Sequence, residues 1–514
     1  MAYTRPGVYV TESPLKTTVS RNTGTSTAAF VGTSLRGPAT PTLITSWSGY
    51  TSQFGDLAQE YDLGYAVYQY FANGGRNCYV TRAFNSNASV ATGASVINYT
   101  ASTAASTPAK LFDVASTNVG AYGNNLSVTP TAGQVTLVAP VAGSTAGVLP
   151  TFNLSVSYNG TEVEYWSELS PDPANNRYAT TIVNNYSSYI NITNLATVTP
   201  ASGFTYSAGL GTAKALTGGS DGSGAASASF ITALDKLVTL PESLIVNAVG
   251  QSDSAIVAKV LDVCATRGDC FGIIDPKVSD TTAALATTTA SGYSTNQGYG
   301  AMYWPMLQMA DPTKSGVGAI RTTFPGGAIA GIYARLETER TVAKPPAGYA
   351  IDIRNALGVT STYTQAEVGT MYDAGINTFK AIPGAGIVIQ GARTLNKIRP
   401  DKYISVRRSL NYIKSTSKSL SEFAVFEPND ERLWSSISLK LEKFLSDFWG
   451  SGGLRGRTPS EAYYVVCNST NNTQNSIDNG EVNIQIGVSL LYPAEFIIIN
   501  VSQWLGGSTT AENI

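Results

Sequence analysis

Gly218-Gly219-Ser220-Asp221-Gly222 has the G-x-S-x-G spacing in which a sharp turn presents a serine nucleophile to an acyl group. That chemistry needs a base within hydrogen-bond reach of the hydroxyl, and the 514-residue chain contains no histidine. Ser-His-Asp and Cys-His catalysis and His-containing zinc sites are therefore excluded together. The surrounding GGSDGSG reads as linker, not as strand, turn and helix, which makes the motif a structural turn. Asp275 is the second candidate, at the carboxyl end of FGIID, where open α/β sheets place reactive groups. Pro276 fits a turn or helix entry as well as a catalytic role, and spacing fixes no second acid, lysine or metal cluster beside it. Cys78, Cys264, Cys270 and Cys467 are too sparse for a disulfide scaffold, and the Cys264 and Cys270 pair lacks the partners of a metal site. No Walker loop occurs, and PGAGIVIQG has its glycines at the wrong spacing for a dinucleotide loop. No catalytic, metal or cofactor site is expected, and the chain reads as a non-enzymatic protein.

The elements that would carry these residues are α/β in character. AAFVG, from Ala28, is a packed strand; LGYAVYQYFANGG has a helical apolar pattern stopped by Gly74 and Gly75; NCYVTRA follows as a strand. LIVNAV, a helix near Asp253 with Ile256, Val257, Val260, Leu261 and Cys264 on one face, and FGIID form a βαβ unit. Residues 28–82 and 214–349 are therefore expected to make a middle α/β domain. Between them, residues 83–213 hold only Lys110 and Arg177 as basic residues and run in short alternating stretches such as QVTLV and FNLSVSY, with turns at Asn159-Gly160 and Ser170-Pro171. This is an inserted β-rich domain, with GGSDGSG as its exit. In NDERLWSSISLKLEKFLSDFWG, Leu433, Trp434, Ile437, Leu441, Phe444, Leu445 and Phe448 form one apolar stripe, with Asn429 or Asp430 as cap and Gly450 as the end. EVNIQIGVSLL alternates as a strand, Pro493 interrupts, and EFIIINV reads as a strand buried on both faces.

Composition points to assembly. Only 13% of residues are charged, against roughly a quarter in typical soluble proteins, while 43% are hydrophobic. A formal net charge of −2 argues against nucleic-acid binding, and no apolar run approaches the roughly 18 residues of a membrane span. Without a signal-peptide pattern, synthesis and folding are expected in the cytoplasm. Of the 33 basic residues, 19 lie between Arg321 and Arg457. Seven of them, Arg393, Lys397, Arg399, Lys402, Arg407, Arg408 and Lys414, stand against one acid, Asp401. They read either as a solvated helix face or as a basic strip that docks on an acidic protein surface. At the N-terminus, Pro6-Gly7-Val8-Tyr9-Val10-Thr11-Glu12 alternates as a short strand with no local partner, and Lys16–Thr27 is a polar tether that reaches at most roughly 40 Å. That strand either folds back as an edge or completes the sheet of another subunit.

PGVYVTE, AAFVGTSLRGP, LGYAVYQYFANGG, YGAMYWP, AGIYARLETERTVAKPPAG, GINTFKAIPGAGIVIQGARTL, FEPNDERLW and IDNGEVNIQIGVSLLYPAEFIIINVSQ resemble, in order, segments of the tail sheath proteins of contractile bacteriophage tails and related injection systems. The resemblance covers most of the chain outside the 83–213 insert. It implies a discontinuous inner α+β domain, residues 350–514 completed by the arm 1–27, with the α/β domain and the all-β insert outside it. It further implies stacked hexameric rings around a tail tube protein, with baseplate and tail terminator proteins as further partners and a place in the virion tail assembled in the bacterial host. Terminal arms would be exchanged between subunits, Pro6–Glu12 on one side and Pro493, Ala494, Glu495, Phe496, Ile497, Ile498 and Ile499 on the other. The basic strip would face the tube. From the residues alone, the polar, Tyr-containing insert leaves a β-rich virion surface adhesin or decoration protein as the rival reading.

Overall fold

Alternation along Ala28-Ala29-Phe30-Val31 sends Ala28 and Phe30 into one apolar cluster and Ala29 and Val31 into another, so this strand is buried on both faces. In the computed structural model, which describes residues 24–495 apart from 86, 101–108, 139–147, 174, 194–204, 209, 223–225, 294–297, 317, 385 and 399, it lies inside an eight-stranded sheet. The strands are β1 (Thr27–Gly32), β2 (Thr42–Ile44), β3 (Cys78–Arg82), β4 (Leu244–Ala248), β5 (Phe271–Ile274), β6 (Gly300–Tyr303), β7 (Ile376–Ile382) and β8 (Gly386–Gln390), in the order β8-β7-β6-β5-β4-β1-β3-β2. Pairing is parallel from β7 through β3 and antiparallel only at the two edge strands.

Helices cover both faces, as a parallel sheet requires. On one face lie α1 (Asp62–Ala72) and α3 (Gly326–Glu339); on the other lies α2 (Ser254–Arg267), capped by the Asp253 carboxylate on the Ala255 amide. The buried face of α2 holds the five residues expected there, plus Val263. Helix α3 is buried around most of its circumference and touches α1 through glycines. A Cβ on Gly327 would stand 2.1 Å from the Ala66 carbonyl oxygen, and one on Gly331 2.5 Å from that of Tyr70.

The insert consists of two four-stranded antiparallel sheets that share one core, where Phe112 and Phe152 stack at 5.3 Å. Asn159 (φ 49°) and Gly160 (φ 80°) form the hairpin turn between strands Val148–Tyr158 and Thr161–Leu169, since both central positions require the left-handed region. The insert runs past the boundary expected at residue 213. Lys214–Ala215 pair with its second sheet, and Thr217 and Ser220 bridge back to Thr92 and Ser89.

The boundary expected at 349/350 also moves. Strands β7 and β8 extend the α/β sheet to Gln390, and the described chain divides instead into Thr25–Asn411 with residues 490–495, and Tyr412–Ser489. Helix α4 (Ile404–Ser421) carries the chain from one to the other. In the smaller unit, α5 (Glu431–Gly450) starts where the Asp430 carboxylate accepts from the Leu433 amide at 2.9 Å. It buries Leu433, Trp434, Ile437 and Leu441 against Cys467 beside the two-stranded sheet of β9 (Tyr463–Val466) and β10 (Gln485–Val488).

Candidate functional site

The hydrolase-like motif is a clasp. Ser220 exchanges backbone hydrogen bonds with Ser89 at 2.9 and 3.1 Å, and its hydroxyl accepts from the Gly222 amide. Arg82, at the end of β3, donates to Asp221 Oδ1 at 3.3 Å and to the Val119 carbonyl, while the Tyr61 hydroxyl donates to Asp221 Oδ2 at 3.2 Å. Burial and the adjacent Asp221 push the Tyr61 phenol up to about 12, so it stays a donor. Both chain crossings into the insert are thereby tied to the sheet.

Asp275 is a structural acceptor. Its carboxylate takes the amides of Gly250 at 3.0 Å and Gly326 at 2.8 Å and the Asn247 side chain at 3.1 Å, joining the end of β4 to the first turn of α3. Burial without a cation outweighs these bonds and raises its pKa to about 6. The four cysteines are buried thiols, Cys78 and Cys264 pushed far up by desolvation, and no cluster of metal-binding side chains occurs among the described residues.

The basic stretch is not the surface strip expected of it. Arg393, Arg407 and Arg408 are 5, 6 and 2% exposed, because each finds a carboxylate within its own subunit. Arg407 pairs with Asp401 and lies 4.6 Å from the Tyr299 ring centroid. Lys397 and Lys414 are exposed, Lys402 is half-buried near the Tyr403 ring, and Arg399 lies outside the described residues.

Two of the arginines hold residues close to the two ends of the described stretch, Thr25 and Glu495. Arg408, 4.6 Å from the Tyr333 ring centroid, donates to Glu337 Oε2 at 3.0 Å, and the same carboxylate accepts the Thr25 amide at 2.6 Å and its hydroxyl at 2.7 Å. At the other end, Arg393 grips Glu495 in a bidentate pair, Nε to Oε1 at 2.9 Å and Nη2 to Oε2 at 2.7 Å. Burial opposes ionisation of Glu495, but the guanidinium prevails and holds the carboxyl below its ordinary range.

The models of the phage tail sheath protein central domain and the phage tail sheath C-terminal domain match residues 223–395 and 400–503. The chain belongs to the phage tail sheath family. The tail sheath protein of Enterobacteria phage T4 is 31% identical over 155 residues, 30% of this chain and 23% of that protein. That of Vibrio phage KVP40 is 28% identical over 176 residues, 34% of this chain and 25% of that protein, so the matched stretch spans about a quarter of each relative. The sheath fold extends over nearly the whole chain. The contracted sheath of an extracellular contractile injection system, PVC, aligns with TM-score 0.58 and 20% identity over 98% of this chain and 99% of its own. The sheath tail protein of Desulfitobacterium hafniense aligns with TM-score 0.56 and 12% identity over 94% of this chain and 100% of its own.

The segments expected to be exchanged as terminal arms are described only in part. Pro6, Gly7, Val8, Tyr9, Val10, Thr11 and Glu12 lie outside the described residues, as do Phe496, Ile497, Ile498 and Ile499. Pro493, Ala494 and Glu495, expected as arm strand, are irregular: Pro493 has no N–H to offer a ladder, and Glu495 is drawn to Arg393. Sequence reasoning missed Thr25 and Glu337. Their only signal was an acid in an apolar helix facing a partner far away in the chain.

Proposed function

We propose that the chain is the contractile sheath subunit itself, polymerising as stacked hexameric rings into a helical sleeve around a tail tube, with baseplate and terminator proteins at its ends. Shortening of the sleeve drives the tube through the host envelope. The observation that carries this reading is the β9–β10 sheet. It has only two strands, packed against α5, and neither pairs with a third among the described residues, so the outer edge of each offers unpaired backbone groups to another strand. Such a sheet is an acceptor for β-augmentation, and Pro6–Glu12 and Phe496–Ile499 are donors of matching strand character.

The family membership and the structural likeness to contracted sheaths and to baseplate complexes of the anti-feeding prophage support the assembly. Work then comes from the lattice: an extended form, kinetically trapped, relaxes to one with more contact between subunits while the exchanged strands keep neighbours tied. Deleting residues 1–12 tests the reading. A folded protein that no longer forms sleeves, seen by negative-stain electron microscopy, is expected; sleeves of normal yield would refute the arm exchange.

A further inference from the structure

On that reading, tension in the terminal segments reaches the described body through the side-chain clamps that lie nearest to each of them, at Thr25 and at Glu495. A strand pulled along its axis resists with all its hydrogen bonds together, whereas one lifted from its end loses them one by one. Thr25 precedes β1, which runs between β4 and β3, and Glu337 holds both the Thr25 amide and its hydroxyl. Glu337 belongs to α3, the helix wedged by Gly327 and Gly331 against α1, and Arg408 locks the carboxylate in place. The second root is built to the same plan with different residues. Arg393 grips Glu495 by both carboxylate oxygens, and its own backbone is stapled to β7, where Asn377 accepts its amide at 2.8 Å and donates to its carbonyl at 2.8 Å. Thr25 and Glu495 are therefore each held by a buried arginine pair that is packed on or bonded to the eight-stranded sheet.

We propose that Glu337 with Arg408, and Arg393 with Glu495, are load anchors that pass tension from the two terminal arms into the sheet and stop it from peeling the arm roots away. The proposal rests on the strand-exchange reading. It makes these groups positioning residues of the contractile machine.

The test uses full-length protein carrying Thr25→Val, which removes the hydroxyl donor at nearly constant volume, or Glu495→Gln, which removes the charge at constant shape. Thr25→Ser keeps the N-terminal clamp and serves as control. Free subunits should fold and polymerise with wild-type yield, yet sleeves of either variant should break about tenfold faster under a fixed shear, read as length distributions by electron microscopy, while Thr25→Ser matches wild type. Breakage of both variants at the wild-type rate would overturn the anchors. So would folded variants that fail to assemble, because the groups would then serve exchange and not load. If deletion of residues 1–12 abolishes sleeves while these variants break normally, the anchors alone fail. If the deletion leaves sleeves intact, the strand exchange fails first.

Discussion

At the scale of single residues, buried charge sets the expected responses. Asp275 has its pKa raised from 3.8 to about 6, so the folded state holds its proton more tightly than the unfolded one. Its contribution to stability is present in full below about pH 4 and is lost as pH rises to about 6, a fall of about 3 kcal/mol. Asp275→Asn should therefore show a smaller decline than wild type across that window in urea titrations; parallel curves would place the carboxyl in a solvated site. Arg408 makes a different prediction. Reversal to Glu leaves two carboxylates buried together, and the subunit should lose about 3–5 kcal/mol with no salt-dependent tube phenotype of its own. A stable, folded Arg408→Glu protein would mean that the Glu337 contact does not persist in solution.

At the scale of elements, legibility followed amphipathicity. Helix α5 shows an apolar stripe, an Asp cap and a glycine stop, and it forms where those signals put it. Replacing Asp430 by Ala should cost about 1 kcal/mol in the unfolding of the smaller unit. Helix α3 gave no such stripe, because it is buried on nearly every side and GGAIAGIYARL is apolar except for Arg335, which is itself buried. What it did carry was the pair Gly327 and Gly331, one turn apart, whose meaning is close approach to α1. Gly327→Ala should gain about 1 kcal/mol of helix propensity and lose about 3 to the clash, a net loss of about 2 seen as a lower urea midpoint of the larger unit. The basic stretch was misread for the same kind of reason. Charge density suggested a surface, but the partners of Arg393 and Arg408 are Glu495 and Glu337, 102 and 71 positions away, and no local spacing reveals them.

At the scale of the whole molecule, low charge and a two-stranded sheet that pairs with no third strand among the described residues are what the proposed strand exchange would explain. The rival drawn from the insert, a surface adhesin, gives no reason for the clamps on Thr25 and Glu495 or for the β9–β10 edges. Lengthening the tether at Thr23-Gly24 should permit assembly but weaken coupling between rings, so that triggered contraction runs incompletely along the sleeve; complete contraction would make tether length irrelevant. The most direct measurement is an electron cryomicroscopy reconstruction of the assembled sleeve, at a resolution that traces the chain ends. The account predicts that residues 6–12 and 496–499 hydrogen-bond to β9 or β10 of neighbouring subunits while Thr25 and Glu495 stay clamped in their own. Terminal strands bonded only within their own chain would contradict it.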